Sequence, residues 1–329
     1  MLSSALVFRG RLLRGKITAC LGVIVGFLAS AAASSIPGET VPALQYEALP
    51  LVRSDHNHLL VRAEINGKPA TLVVDTGAPV SAVCLDRASH FELKPVRRKS
   101  KIPAKLNING AYSRLSIARG IRLGALTLVD EPVVLIAVPE QEGAGRLEGD
   151  GILGTDVLSP LKAVLDFDRM LLVIKIDATV PGSVPGFDYR GFRRIRMQET
   201  DGGNMYVPGS INGTKARLMV DTGAPGTLLH SLFVVQMKIP TRKTRFNSVG
   251  VNLPEDRIHL AEISNLSVGP MNMQNSRVGV INLTRVIHGE LKAKPPVAGL
   301  LGAQMLHDYH AIIDFGTKSL YLKAEPLKR

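Results

Sequence analysis

The chain has no tryptophan, two cysteines and an aromatic content of only 5%. Cys20 lies inside an N-terminal segment that reads as removable, which would leave Cys84 alone and unable to form an intrachain disulfide. Stability outside the cytoplasm would then rest on packing. Aromatic scarcity also bears on the formal charge of +12. The basic clusters (Arg97, Arg98, Lys99 and Lys101; Arg190, Arg193, Arg194 and Arg196; Arg242, Lys243 and Arg245) stand in a chain with few aromatics and show no recognisable binding motif. They read as solvated faces, and no nucleic-acid partner is predicted. Histidine is sparse near the motifs below, and His56, His58, His307 and His310 have no convincing metal-ligand spacing, so no metal site is predicted.

Acidic residues are missing before Glu39, whereas Arg9, Arg11, Arg14 and Lys16 precede an apolar run from Ile17 to Leu28 and then Ala29-Ser30-Ala31-Ala32-Ala33. That order predicts an export signal over residues 1–33, cleaved near Ala31 or Ala33. A retained anchor is the alternative, because the stretch from Ile17 to Ala33 approaches the lower limit of a spanning helix. The small-residue ending, without an aromatic or basic stop, favours cleavage. The continuous apolar run argues against an organellar transit peptide. Cys20 precedes most of that run, which argues against a lipid anchor. A periplasmic or secreted protein is expected, held at a membrane only if the signal is uncleaved.

With 329 residues, 45% of them hydrophobic, the chain can bury a sizeable core and suffices for about two domains. An internal repeat supplies both. Leu-Val-Val-Asp-Thr-Gly-Ala-Pro ends at Pro79, and Leu-Met-Val-Asp-Thr-Gly-Ala-Pro ends at Pro225. Asn66-Gly67 precedes the first phrase as Asn212-Gly213 precedes the second. Gly151-Ile152-Leu153-Gly154 answers Gly299-Leu300-Leu301-Gly302, and Val164-Leu165-Asp166-Phe167 answers Ile312-Ile313-Asp314-Phe315. The interval is of domain size, far beyond a solenoid period. A linker composition from Ala178 to Asp188, rich in Pro and Gly, divides the copies into lobes of residues 34–180 and 181–329.

Within each copy the runs are short, β-branched and punctuated by turns, with Asn-Gly between apolar runs as a hairpin signal. The class is mostly β, with helical periodicity only at Thr155 to Leu161 and Ala303 to Tyr309. Each buried run delivers an aspartate, Asp75 or Asp221, to a turn that the next glycine permits. Two such loops facing each other bring together carboxylates that cannot both ionise, so one pKa falls and the other rises. A pair of that kind can activate a water with its ionised member and donate to a carbonyl oxygen from its protonated one. This suits peptide-bond hydrolysis and needs no cofactor.

At these residues the sequence resembles the aspartic proteases, specifically their retropepsin-like branch. Asp-Thr-Gly-Ala is the active-site loop of that branch, and Ile152-Leu153-Gly154 and Leu300-Leu301-Gly302 are its apolar-apolar-Gly partners. The resemblance covers most of the chain after the signal. It implies two homologous β-barrel lobes related by a pseudo-two-fold, with the active cleft between them. It further implies that Asp75 and Asp221 are the catalytic pair, that Thr76 and Thr222 lock the loops together, and that Gly77 and Gly223 line the substrate backbone. Both lobes lie on one chain, so an active monomer acting on a peptide or protein substrate is expected.

Family members close over substrate with a β-hairpin. Candidates are Asn107 to Ser116, with Tyr112 as a residue that could reach over the pair, and Phe246 to Arg257. Neither is the glycine-dense flap of retroviral enzymes. Ala303-Gln304 stands where copy one has Thr155-Asp156, a departure after the Gly motif that need not touch the pair but could weaken lobe pairing. Asp166 and Asp314 read as turn-formers, and Cys84 as a buried structural thiol. The underdeveloped flaps keep a second function open: a catalytically silent pseudoprotease using the cleft to bind peptides.

Overall fold

The computed structural model describes residues 45–96, 107–108, 111–112, 114–137, 148–176, 189–200, 203–248, 257–287 and 292–324. The expected signal, residues 1–33, and the expected linker from Ala178 to Asp188 lie outside them. Among the described residues no helix is long and apolar enough to cross a membrane.

The first copy forms strands β1 (Tyr46–Arg53), β2 (Leu59–Ile65), β3 (Lys68–Val74), β4 (Ala82–Cys84), β5 (Asn107–Ile108) and β6 (Ala111–Tyr112). It continues with β7 (Arg114–Leu123), β8 (Leu126–Ile136), β9 (Gly151–Leu153), the short helix α1 (Thr155–Leu158), β10 (Val164–Asp166) and β11 (Leu171–Lys175). The second copy begins with β12 (Phe192–Arg196), β13 (Gln198–Glu199), β14 (Met205–Ile211), β15 (Thr214–Asp221), β16 (Leu228–His230) and helix α2 (Ser231–Gln236). Then come β17 (Thr241–Asn247), β18 (Arg257–Val268), β19 (Met271–Ile281), β20 (Val297–Gly302), helix α3 (Ala303–Asp308), β21 (Ile312–Asp314) and β22 (Ser319–Lys323).

Each copy closes a six-stranded barrel. In the first, β2, β3, β9, β4, β8 and β7 neighbour one another in that order, and β7 returns to β2. In the second, β14, β15, β20, β16, β19 and β18 do the same, with β18 returning to β14. The founding hairpins follow from the Asn-Gly turns: Asn66 and Gly67 have φ of 52° and 80°, Asn212 and Gly213 of 47° and 83°. Positive φ at both central residues is the turn whose twist matches paired strands. It fixes the register, so Ile65 pairs with Lys68 and Ile211 with Thr214.

The strands on the barrel wall alternate. In β2, Leu59, Val61, Ala63 and Ile65 are buried and the residues between them less so. By contrast β9 and all six residues of β20 are buried, as expected of parallel-paired strands covered on both faces. Each fully buried Val, Leu or Ile side chain contributes about 1.5–3 kcal/mol. The basic strand β17 sits at a sheet edge with its charges exposed, in keeping with solvated faces.

A six-stranded antiparallel sheet joins the copies, in the order β12-β22-β21-β10-β11-β1. Its centre is the pairing of the repeated Asp-Phe strands, with Leu165 opposite Ile313. Asp166 and Asp314 form turns: Oδ1 of Asp166 accepts from the backbone N–H groups of Asp168 and Arg169, and Oδ1 of Asp314 from that of Thr317. Strand β1 serves two sheets, pairing with β11 through Tyr46–Pro50 and with β2 through Leu51–Arg53. Its end therefore delivers the turn at 54–58 to the junction of the lobes.

Two details differ from the sequence reading. Helix α1 ends at Leu158 rather than Leu161, where the chain turns so that Lys162 N–H can bond Ser159 O and Ala163 N–H can bond Leu158 O. Helix α2 was not expected; the ring of His230 caps it, with Nδ1 accepting from Leu232 N–H at 3.4 Å. Cys84 is buried, with its thiol 3.8 Å from Gly149 O.

Candidate active site

Leu72, Val73 and Val74 are buried and lead to Asp75, whose backbone N–H donates to Leu153 O at 3.0 Å. In the second lobe Leu218, Met219 and Val220 are buried and lead to Asp221, paired in parallel with Gly302. The two loops are then bonded alike. Oδ1 of Asp75 accepts from Gly77 N–H at 2.8 Å and Ala78 N–H at 3.1 Å. Oδ1 of Asp221 accepts from Gly223 N–H at 3.0 Å and Ala224 N–H at 3.1 Å. With one oxygen of each carboxyl fixed, the two side chains face each other across the junction, each beside the other loop's glycine.

Glycine is required beside them. A Cβ on Gly77 would stand 2.5 Å from Asp221 Cγ, and one on Gly223 would stand 2.3 Å from Asp75 Oδ2. Each glycine therefore leaves the space that the opposite lobe's carboxyl occupies. The floor is equally tight: a Cβ on Gly154 would lie 2.8 Å from Ala78 O, and on Gly302 2.2 Å from Gly226 O. This is how the apolar-apolar-Gly segments cross beneath the loops, and the next residues tie them in. Thr155 N–H donates to Ala78 O and Ala303 N–H to Ala224 O, at 2.9 and 2.8 Å.

Thr76 and Thr222 are fully buried and cross the junction reciprocally. Thr76 N–H donates to Thr222 Oγ1 at 3.0 Å, while the Thr222 hydroxyl donates to Val74 O at 2.6 Å. In return Thr222 N–H donates to Thr76 Oγ1 at 3.1 Å, and the Thr76 hydroxyl donates to Val220 O at 2.8 Å. Buried donors and acceptors of both loops are thereby satisfied by the other lobe.

The carboxyls are not electrostatically equivalent. Burial raises Asp221 well above the usual carboxylate range, and the neighbouring Asp75 charge raises it further. Burial raises Asp75 too, but the Gly77 N–H, the hydrogen bond with Asp221 and the charge of His58 all oppose it. Asp221 is the natural holder of a shared proton and Asp75 of the charge.

Several neighbours of the pair escaped the sequence reading. His58 Nδ1 lies 2.9 Å from Glu148 Oε2, and His56 Nδ1 lies 2.6 Å from Glu148 Oε1. The hairpin turn offered a signal, since counting the register outward from Asn66-Gly67 sets position 58 across from position 75. Gln304 corrects an expectation. Instead of weakening lobe pairing it strengthens it, because Oε1 accepts from Arg53 at 3.1 Å and from Asn57 at 3.0 Å, both in the first lobe. Its counterpart Asp156 turns inward to its own lobe, accepting from Ser81 N–H and Oγ–H at 2.8 Å each.

The hairpin expected over Asn107 to Ser116 appears as the pairing of β5 with β6, Asn107 opposite Tyr112. The Tyr112 side chain lies outside the described residues, as do residues 249–256 of the other candidate hairpin.

The family model that describes aspartyl proteases matches this chain twice, over residues 61–157 and 207–305. The chain belongs to the aspartyl protease family. Each match takes in one Asp-Thr-Gly loop and the Gly motif beneath it, so the repeat seen in the sequence is a repeat of the family unit. Among solved structures, the aspartic proteinase from Irpex lacteus is similar at 14% identity, covering 84% of this chain and 97% of that one, with a TM-score of 0.45. Basic 7S globulin from soybean is similar at 12% identity, covering 86% of this chain and 96% of that one, with a TM-score of 0.44. None of the curated proteins matches the chain.

Proposed function

We propose that this family member is an aspartic endopeptidase that hydrolyses peptide bonds with a water activated between Asp75 and Asp221. The proposal rests on the facing carboxyl pair at the lobe junction, each member held by two backbone N–H groups and lying against the other loop's glycine. The Asp75 carboxylate takes a proton from water as the water oxygen attacks the substrate carbonyl carbon. Asp221 gives its proton to the carbonyl oxygen, forming a neutral tetrahedral diol. Collapse of that diol breaks the carbon–nitrogen bond. The proton on Asp75 passes to the leaving nitrogen, and Asp221 recovers one from a diol hydroxyl. The pair returns to its starting state, with one water consumed.

Because one chain supplies both loops, we propose that the monomer is the working form; equilibrium sedimentation finding activity only in a dimer would overturn this. The Arg-rich start and apolar run support export to the periplasm or exterior, with membrane attachment only through an uncleaved signal.

The deciding experiment measures cleavage of an unstructured protein by Asp75→Asn and Asp221→Asn. Each is expected to abolish cleavage while the circular dichroism spectrum stays that of the parent. Retained cleavage in both variants would refute the mechanism. Peptide binding without cleavage by the unaltered protein, across acidic and neutral pH, would establish the silent peptide-binding module instead.

A further inference from the structure

The two aspartates have unequal neighbours, and the inequality comes from the turns that precede the founding hairpins. Leu60 faces Val73 in the first lobe, so the same register carried two residues further sets His58 across from Asp75. Tyr206 faces Met219 in the second lobe, and the same extension sets Asn204 across from Asp221. One carboxyl thus faces a group that can carry a positive charge, the other a neutral amide. Asn204 is 8% exposed, and its Oδ1 has no hydrogen-bond partner among the described residues, so it brings no cation to Asp221.

His58 is held in place. Its ring bonds Glu148 Oε2 at 2.9 Å, and its backbone N–H donates to Ser54 Oγ at 3.0 Å. Its side chain is only 16% exposed, against 60% for His56 on the other oxygen of Glu148. The turn carrying it is anchored to the opposite lobe as well, through Arg53 and Asn57 to Gln304. The ring is thus fixed within its own lobe, and the turn that carries it is fixed to the other.

We propose that His58, clasped by Glu148, is a positioning residue that holds the single negative charge of the aspartate pair on Asp75 and leaves the proton on Asp221. This deepens the proteolytic reading and rests on it for its kinetic consequence alone. The groups facing His58 are Glu148 and Asp75, with Asp221 behind Asp75; His56 shares Glu148, and Asp55 acts on His56. Burial would raise Glu148, but hydrogen bonds from Ser54, His56 and His58 draw it down to about 2. Glu148 is therefore an anion, and its carboxylate fixes the His58 ring. His58 with its proton lowers Asp75.

The test is a 13C-carboxyl NMR titration of the aspartates in the unaltered protein, His58→Gln and His58→Arg, with the Asp75 signal assigned by its loss in Asp75→Asn. Removing a cation from beside a carboxylate raises its titration by about half to one pH unit, a three- to tenfold change in the acid constant. That rise is expected in His58→Gln, and its reversal in His58→Arg, with matching thermal melts. The acid limb of kcat/KM should move in step. An Asp75 titration unchanged in His58→Gln, or a rise that arginine fails to reverse, would overturn the proposal. If the titration moves but no form of the protein cleaves any substrate, the proteolytic reading fails and the role of His58 stands.

Discussion

Replacing Thr222 by Val keeps the shape of the side chain and deletes one hydroxyl at the most buried point of the lobe junction. Two bonds go with it: Val74 O loses its donor at 2.6 Å and Thr76 N–H loses its acceptor at 3.0 Å. Neither can turn to solvent, since Thr76 and Val74 are both 0% exposed. An unsatisfied buried backbone group costs about 1–3 kcal/mol, so the two together cost about 2–6 kcal/mol. For a chain of this size that corresponds to a fall in Tm of at least about 3 °C, measured by scanning calorimetry. Thr222→Ser, which keeps the hydroxyl and gives up one methyl, should lose only about 1 kcal/mol. Thr76→Val removes the other two bonds, and because the groups share one buried contact, the double variant should cost less than the sum by about 0.5–3 kcal/mol. Thr222→Val melting together with Thr222→Ser and the parent would refute the claim that the reciprocal bonds hold the lobes in register.

Gly223→Ala should lower kcat/KM about a hundredfold, the usual consequence of a displacement near 1 Å at a reacting group. Its new Cβ would stand 2.3 Å from Asp75 Oδ2, so the carboxyl must move; unchanged kinetics would show that the loop relaxes instead. Gln304→Ala removes the acceptor of Arg53 and Asn57 and should cost about 1–2 kcal/mol in urea unfolding; an unaltered midpoint would deny the inter-lobe tie. Burial, with the Asp156 charge beside it, pushes Glu131 from its ordinary 4.5 up to about 7. The folded state holds this proton more tightly than the unfolded chain, so stability is lost as pH rises from about 4.5 to about 7 and stays lost above. Glu131→Gln should therefore match the parent Tm at pH 4 and exceed it at pH 8, and equal melting at pH 8 would contradict the assignment.

The local layer was open to reading because its determinants are short in sequence. Asn66-Gly67 and Asn212-Gly213 specify tight turns through residues that accept positive φ, and the turns fix the founding hairpins. Buried runs into Asp75 and Asp221 and the spaced Gly motifs pointed to two equivalent loops. Reading failed where a residue's neighbour comes from the other half of the chain. Gln304 looked like a loss relative to Asp156, because nothing local shows that Arg53 and Asn57 stand beside it. Helix α2 was missed because its start depends on the ring of His230 rather than on a usual capping residue.

By itself the sequence determined that the chain is a doubled, mostly β protein in which two identical Asp-Thr-Gly-Ala loops occupy matching positions, because pattern and turn chemistry act over a few residues. Only the tertiary structure decided that the loops meet, that each glycine makes room for the opposite carboxyl, and that Thr76 and Thr222 exchange hydrogen bonds across the junction. It also decided the asymmetry of the pair, since Asp221 is raised by burial and by the Asp75 charge, while hydrogen bonds and the His58 charge oppose the rise at Asp75. A carboxyl's proton affinity is set by the charges and burial around it in space, and two nearly identical phrases can acquire different chemistry once the chain has brought different neighbours to each.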